Sequence, residues 1–161
     1  MRFLPGPIEH CALPCDLDLI ASASTVQWVA DMPALLRRLS RHLRPGGWLM
    51  ISGFARSHFH ELAALGSQAA ARYADARDWP SFMPPGLHLK SVHQETDVMR
   101  FACLRDLLLH LRSTGVNGRA GDVWSRAKLA GFEADYRRRF AENGQLRLTY
   151  APVYVIARKA R

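Results

Sequence analysis

This sequence is short of acidic residues, short of cysteine and without any long apolar run. Its 161 residues carry 14 Asp and Glu against 22 Lys and Arg, a formal charge of +8. No stretch approaches the roughly 18 uninterrupted apolar residues of a membrane-spanning helix, so no membrane association of that kind is expected. Met1-Arg2-Phe3-Leu4-Pro5 lacks the extended apolar segment of a signal peptide, and the cytoplasm is the expected location. Cys11, Cys15 and Cys103 are an odd count without a secretory signal, which argues against a disulfide framework. His10-Cys11 and Cys15 have no second close-spaced pair to complete a metal site. No Gly-Lys-Ser or Gly-Lys-Thr follows Gly46-Gly47, so that pair is not a phosphate loop, and no Gly-x-Ser-x-Gly elbow presents a nucleophilic serine.

What is present is ordinary for a folded protein. Hydrophobic residues make up 48% and charged residues 22%, in a length that suits one domain with a real core. The cationic excess suits solvated helix faces first, and an acidic partner second. Arg137-Arg138-Arg139 is the only run of arginines, and three successive helical residues point in different directions. No nucleic-acid-binding module is visible, so nucleic acid is not an expected partner.

Asp16-Leu17-Asp18-Leu19-Ile20-Ala21-Ser22 reads as a buried strand that ends in small residues. Asp31-Met32-Pro33 starts a helix, with Asp able to cap and Pro tolerated in the first turn. Leu35, Leu36, Leu39 and Leu43 follow at helical spacing, and Pro45-Gly46-Gly47 stops the helix and turns the chain into a strand from Trp48 to Ser52. The unit is β-α-β, and its two strands are expected to pair in parallel. Arg2-Phe3-Leu4 is a short strand candidate before it. Beyond it, Ser57 caps a helix through Leu65, Gly66-Ser67 restarts one through Tyr73, and Asp78-Trp79-Pro80 with Pro84-Pro85-Gly86 marks a loop region. Leu87 to Phe101 has strand character, while Leu104, Leu107, Leu108 and Leu111 define a helix, and Trp124 to Phe140 another. Leu146 to Tyr150 and Val153 to Ala157 are late strands expected to pair antiparallel. The fold class is α/β: parallel β-α-β, then helices, then an antiparallel edge strand pair, in a single domain spanning 1–161.

In open α/β sheets, ligands bind beyond the carboxyl ends of the strands. That rule selects Ile8-Glu9 and the segment from Ala21 to Gln27. Ala21, Ser22, Ala23 and Ser24 are small enough to let a ligand approach the backbone, or to make a compact turn into Val26 and Trp28. A β-α-β unit in a nucleotide-binding sheet normally follows a Gly-rich cofactor loop, and no such loop occurs before Asp16. The sequence is expected to be the second part of a larger fold.

The strand at 16–22, Gln27-Trp28, the Leu/Arg helix and Leu43-Arg44-Pro45-Gly46-Gly47 together resemble class I S-adenosylmethionine-dependent methyltransferases. Leu111-Arg112-Ser113-Thr114-Gly115-Val116-Asn117 and Leu148-Thr149-Tyr150 narrow the resemblance to the malonyl-acyl-carrier-protein O-methyltransferases of biotin synthesis. The likeness runs from Arg2 to Lys159 and implies a partial Rossmann-like methyltransferase sheet lacking its first two strands and Gly-rich loop, with the missing half encoded upstream. It implies S-adenosylmethionine as co-substrate and an acidic acyl carrier protein bearing a malonyl thioester as partner. By position, Ile8 and Glu9 lie near the adenine, and Ala21, Ser22, Ala23 and Ser24 near the sulfonium end. Gln27 and Trp28 line the boundary with substrate, Tyr150 faces the substrate, and Arg112 and Arg119 contact its carboxylate or thioester arm. No catalytic base is implied, because the attacking carboxylate is already ionised. The chain departs from the family at Gly6-Pro7, where the family has Gly-Asp, and at Tyr150-Ala151, where it has Tyr-His. Two further readings stay open: an inactive remnant that docks a carrier protein without cofactor, and a methyltransferase for another small acid.

Overall fold

The computed structural model describes Phe3, residues 5–66, 72–114 and 125–161. In chain order the elements are β1 (Leu17–Ala23), α1 (Met32–His42), β2 (Leu43–Phe54), α2 (His60–Ala64), α3 (Trp79–Phe82), β3 (Leu87–Gln94), β4 (Asp97–Phe101), α4 (Leu104–Ser113), α5 (Arg126–Phe140), β5 (Ala141–Glu142), β6 (Gln145–Tyr150) and β7 (Pro152–Lys159). They form two compact units. The first comprises Met1–Ala55, Arg72–Glu95 and Pro152–Arg161, and the second Arg56–Ala71 and Thr96–Ala151.

The first unit is a four-stranded sheet in the order β1-β2-β7-β3. β1 and β2 pair in parallel, as expected of the β-α-β unit, and β7 is antiparallel to both β2 and β3. The crossover helix α1 starts where the sequence places it. The Asp31 carboxylate accepts from the Ala34 N–H at 2.8 Å, and Pro33 sits in the first turn. Leu35, Leu36 and Leu39 are buried on one side of α1, and Leu49, Ile51, Val153, Val155 and Ala157 are buried in the sheet. The inward face is so close-packed at Gly53 that an added Cβ would lie 3.0 Å from the Val26 side chain.

Pro45-Gly46-Gly47 is not the free turn expected from the sequence. It belongs to β2, where three residues of β1 (Leu17 to Leu19) oppose the six from Leu43 to Trp48, so that the extra residues bulge out of the ladder. Gly46 takes φ +77°, and a Cβ on Gly47 would stand 2.8 Å from the Leu17 carbonyl oxygen. The end of the chain clamps this bulge. The Arg158 guanidinium donates to the Gly46 carbonyl at 3.0 Å, Lys159 Nζ to the Leu43 carbonyl at 2.6 Å, and the Gly46 N–H to the Ala160 carbonyl at 3.2 Å.

The second unit holds a three-stranded antiparallel sheet, β4-β6-β5, with α2, α4 and α5. Its core is Phe59, Leu62, Leu104, Leu107, Leu111, Tyr136, Leu146 and Leu148. The leucine spacing of α4 buries the expected stripe, and the Ser125 hydroxyl caps α5 by accepting from the Lys128 N–H at 3.2 Å.

Several expectations change. The stretch from Leu87 to Phe101 is two strands, broken at Glu95-Thr96 and placed in different sheets. The late strands β6 and β7 do not pair with each other, and the antiparallel edge pair is β7 with β3. The helix expected from Ser57 begins only at His60, after Phe59 takes a left-handed φ of +53°. Asp78-Trp79-Pro80 is a capped helical turn with a buried Trp79 rather than a loop. The Arg2–Leu4 strand lies outside the described residues except for Phe3, which is not in a strand, and 67–71 of the second expected helix lie outside them too.

Two glycines should respond to alanine with opposite signs. Gly47→Ala is expected to destabilise the fold by about 1–3 kcal/mol, because backbone oxygen meets the new methyl. Gly131→Ala, in the open middle of α5 with nothing within 4 Å, should stabilise it by roughly 0.5–1 kcal/mol. Urea denaturation of the two variants measures both.

Candidate functional site

In the first unit, β1 ends at Ala23 and the next residue, Ser24, is in the left-handed region at φ +49°, uncommon for a residue with a Cβ. The strain is held by β2. The Ser24 N–H donates to the Ser52 carbonyl at 3.0 Å and to Ser52 Oγ at 3.1 Å, since Ala23 and Ser52 are register partners. The Thr25 hydroxyl donates back to the Ala23 carbonyl at 2.8 Å, and Gln27 Nε2 to the Ser24 carbonyl at 2.7 Å. Val26 to Trp28 is a short 3-10 turn anchored by buried Val26. Gln27 Oε1 is buried and accepts no hydrogen bond among the described residues. Trp28 is 48% exposed, so it is not a core aromatic. Ala21, Ala23 and Ser24 are exposed and Ser22 half-buried. Small side chains, a strained turn and one unfilled buried acceptor thus meet at the carboxyl end of β1. That arrangement can receive a ligand bearing an N–H or O–H donor.

Ile8 and Glu9, both half-buried, sit in a tight turn that closes through the His10 and Cys11 N–H groups onto the Pro7 carbonyl. The loop is fastened to α1, because the Arg38 guanidinium donates to the Cys11 carbonyl and His42 Nδ1 lies 3.0 Å from the Pro14 carbonyl. Cys11, Cys15 and Cys103 are free thiols.

In the second unit, Tyr150 ends β6 among aromatic rings. Its hydroxyl is 2.6 Å from His110 Nε2, and its ring meets those of His58 and Phe59 edge-on at 5.0 and 4.8 Å between centroids. Burial raises the Tyr150 pKa above the ordinary phenol value, and a hydrogen bond with Thr114 offsets part of the rise. Flanking backbone positions are held by buried polar groups. Glu61 accepts from the Thr149 N–H at 3.0 Å and the Thr149 hydroxyl at 2.5 Å, and His58 Nδ1 accepts from the Ala151 N–H at 3.3 Å. The His58 proton is therefore on Nε2, and burial pushes its pKa down to about 3. Arg112, on the last turn of α4, is exposed, and its guanidinium makes no hydrogen bond or ion pair among the described residues. Arg119 and the segment Gly115 to Asn117 lie outside the described residues. A phenol, an imidazole and an unengaged guanidinium are suited to holding an anionic group.

Sequence reasoning missed Ser52, His58, Glu61 and His110. Ser52 could have been found by the same strand-end rule that selected Ala21 to Ser24, because it is the last residue of β2 in register with β1. The other three carry no local signal.

Residues 16–102 match the family described as a methyltransferase domain. The malonyl-acyl-carrier-protein O-methyltransferase of Acinetobacter baylyi is 36% identical over 158 residues, covering 96% of this chain and 62% of that protein. The chain spans about 60% of the length of the curated relatives it matches. Among solved structures, the YcgJ protein of Bacillus subtilis superposes with a TM-score of 0.63 at 13% identity, over 99% of this chain and 71% of its own. A phosphoethanolamine N-methyltransferase of Haemonchus contortus, solved with S-adenosylhomocysteine, does so at 0.52 and 15%, over 96% and 36%. These two likenesses establish a shared fold.

The buried His58 sets an acid limit on stability. Folded, it stays neutral down to about pH 3, whereas in the unfolded chain it protonates below its ordinary 6.5. The unfolded state therefore binds more protons in that window, and stability rises with pH through it. This group's contribution is complete above pH 6.5 and is lost on acidification, by up to about 1.4 kcal/mol per pH unit. His58→Asn keeps an acceptor for the Ala151 N–H without titrating. Its unfolding free energy is expected to fall less steeply than that of the parent between about pH 6.5 and pH 4, as read by urea titrations.

Proposed function

The chain belongs to the methyltransferase-domain family, and we propose that it forms the substrate side of an O-methyltransferase that esterifies the free carboxylate of a malonyl group on an acyl carrier protein, a step of biotin synthesis. S-adenosylmethionine supplies the activated methyl group. The observation that carries the reading is that relatives bearing this one name align with nearly the whole chain. The carboxylate is ionised at neutral pH, so no residue need take a proton. A carboxylate oxygen bonds to the methyl carbon as the carbon–sulfur bond breaks, and the electron pair remains on sulfur.

The residues then have positioning tasks. Ile8 and Glu9 face the adenine, and Ala21 to Ser24 leave room for the sulfonium end. Gln27 offers its unfilled Oε1 as an acceptor, and its partner in the 3-10 turn, Trp28, borders the substrate. In the second unit, Tyr150, directed by His110, together with Arg112 and Arg119, receives the carboxylate and the thioester arm. Alignment and water exclusion supply the rate.

Calorimetry on the 161-residue chain separates the parts of this proposal. A malonyl-loaded carrier protein is expected to bind at least tenfold more tightly than its methyl ester or an acetyl-loaded carrier, and more weakly as salt rises. Arg112→Ala should cost about 1.5–3 kcal/mol of that binding and Tyr150→Phe about 0.5–1.5 kcal/mol. Equal affinity for the malonyl and acetyl forms overturns the substrate assignment. S-adenosylmethionine added to the chain alone is expected to give no heat of binding. Micromolar binding would overturn the view that further polypeptide is needed to hold it.

A further inference from the structure

The Tyr150 hydroxyl and His110 Nε2 lie 2.6 Å apart, and both residues are half-buried. At that distance one proton lies between the two atoms. It can be held in two ways. If the phenol donates to a neutral imidazole, the tyrosine oxygen has only lone pairs left for any other group. If Nε2 carries the proton and donates to that oxygen, the hydroxyl hydrogen is free to turn to a third group. Burial raises the Tyr150 pKa, so the phenol keeps its own hydrogen and has one to direct.

Without a ligand the first arrangement is the better one, because it gives a half-buried hydroxyl an acceptor without charging the imidazole. An arriving carboxylate reverses the balance. It is repelled by an oxygen that can only accept and attracted by one that can donate. Its negative charge also favours the charged imidazole. An ester is uncharged and a weaker acceptor, so it provides neither drive. The surroundings leave this role to His110. Phe101 of β4 covers its ring at 5.3 Å between centroids and carries no titrating proton. Burial holds the pKa of His58, 5.0 Å from the Tyr150 ring, at about 3. Asp97 opposite Tyr150 in the ladder, Asp106 one turn before His110, and Arg112 are exposed. Exposed carboxylates and guanidinium groups keep their charge throughout the neutral range.

We propose that His110 is a positioning residue through which Tyr150 tells an anion from an ester. Carboxylate binding draws a proton from solvent onto His110, whose Nε2–H then donates to the phenol oxygen, and the freed hydroxyl donates to the carboxylate. When the carboxylate is methylated its charge is gone, the hydroxyl turns back to Nε2, and the proton returns to solvent. Methyl transfer from a sulfonium to a carboxylate neither makes nor uses a proton, so uptake on binding and release on esterification balance. The pair thereby grips the substrate and loosens on the product. This inference rests on the reading of the site as the receiver of a malonyl carboxylate, and adds to it a proton that is counted separately.

Calorimetry with malonyl-loaded and acetyl-loaded carrier protein, in phosphate and in Tris at one near-neutral pH, counts the proton, because the two buffers differ in heat of ionisation. The chain is expected to take up roughly half a proton more with the malonyl carrier than with the acetyl carrier. Its affinity for the malonyl form should fall by up to about tenfold for each unit rise in pH. His110→Gln, whose amide N–H always donates to the phenol oxygen, should keep a preference for the malonyl form but lose the extra uptake and the pH dependence. His110→Leu should lose the preference as well. Thermal unfolding of each variant alone verifies that its fold is intact. In the unsubstituted chain, nitrogen NMR of the imidazole is expected to show Nε2 unprotonated when free and both nitrogens protonated when the malonyl carrier is bound. The inference alone is overturned if the malonyl form is preferred but proton uptake is equal for the two carriers. It is also overturned if His110→Gln keeps the extra uptake, or if Nε2 is protonated in the free chain. Equal affinity for the two carriers overturns the substrate assignment, and this inference with it.

Discussion

The first unit depends on the way β7 is seated against β2. Their antiparallel register runs from Trp48–Arg158 to Phe54–Pro152, and the residues after it clamp the bulge at Gly46-Gly47. The bulge takes up the extra residues of β2, so that Leu49, Ile51 and Gly53 face inward. A slip of one residue would turn Trp48 and Met50 into the core and those three outward. The same register brings Ser52 level with Ala23, and only then can Ser52 hold Ser24 in its left-handed conformation. The candidate ligand turn is therefore a consequence of contacts made at the far end of the same strand.

The second unit positions Tyr150 by a different means. The short helix α2 is tied to β6 by polar groups that are themselves buried: Glu61 to Thr149, His58 to Ala151, and the Phe59 N–H to the Thr149 carbonyl at 2.8 Å. A buried carboxylate is tolerable only with its lone pairs filled, and Thr149 fills two with one residue. With both neighbours held, Tyr150 has little backbone freedom. Its ring is set edge-on against His58 and Phe59, and its hydroxyl reaches His110. Nearby, the buried Tyr136 hydroxyl donates to the Arg147 carbonyl at 2.6 Å, and burial together with the Glu61 charge raises its pKa.

What the residues made legible was whatever depends on neighbours in sequence. The strand ending in Ala21-Ser22-Ala23, the Asp31 cap, the leucine stripes of α1 and α4, and the small residues beyond β1 all express local spacing. What failed depended on distant partners. Leu87 to Phe101 has one continuous strand propensity, yet its halves pair with β7 and with β6, which share no sheet. Pro45-Gly46-Gly47 has turn chemistry, but residues more than a hundred positions away draw it into a strand. His110 and Tyr150 are 40 residues apart, and neither spacing nor composition connects them. Trp79 sits between Asp78 and Pro80, residues that signal a loop, and only the capping at Asp75 and Asp78 makes it a buried helical turn.

Charge gives the same lesson about the proposed acidic partner. The one arginine run, Arg137 to Arg139, looks like the docking feature but is engaged internally. Arg137 pairs with Glu133 at 2.8 Å, Arg138 with Asp135 at 2.6 Å, and Arg139 donates to the Ala64 carbonyl at 3.2 Å. Arg37 and Arg41 on α1, and Arg105 and Arg112 on α4, are exposed and have no partner among the described residues. Uncompensated charge steers an approaching anion, while a paired arginine contributes little field beyond the roughly 8 Å Debye length at physiological salt. Uncompensated charge is thus carried by α1 and α4 and not by the arginine run. Arg105 and Arg112 both share α4 with His110, the partner of Tyr150, but only Arg112 lies with it in the last turn, so it is the one that can serve both long-range attraction and final placement of a carboxylate.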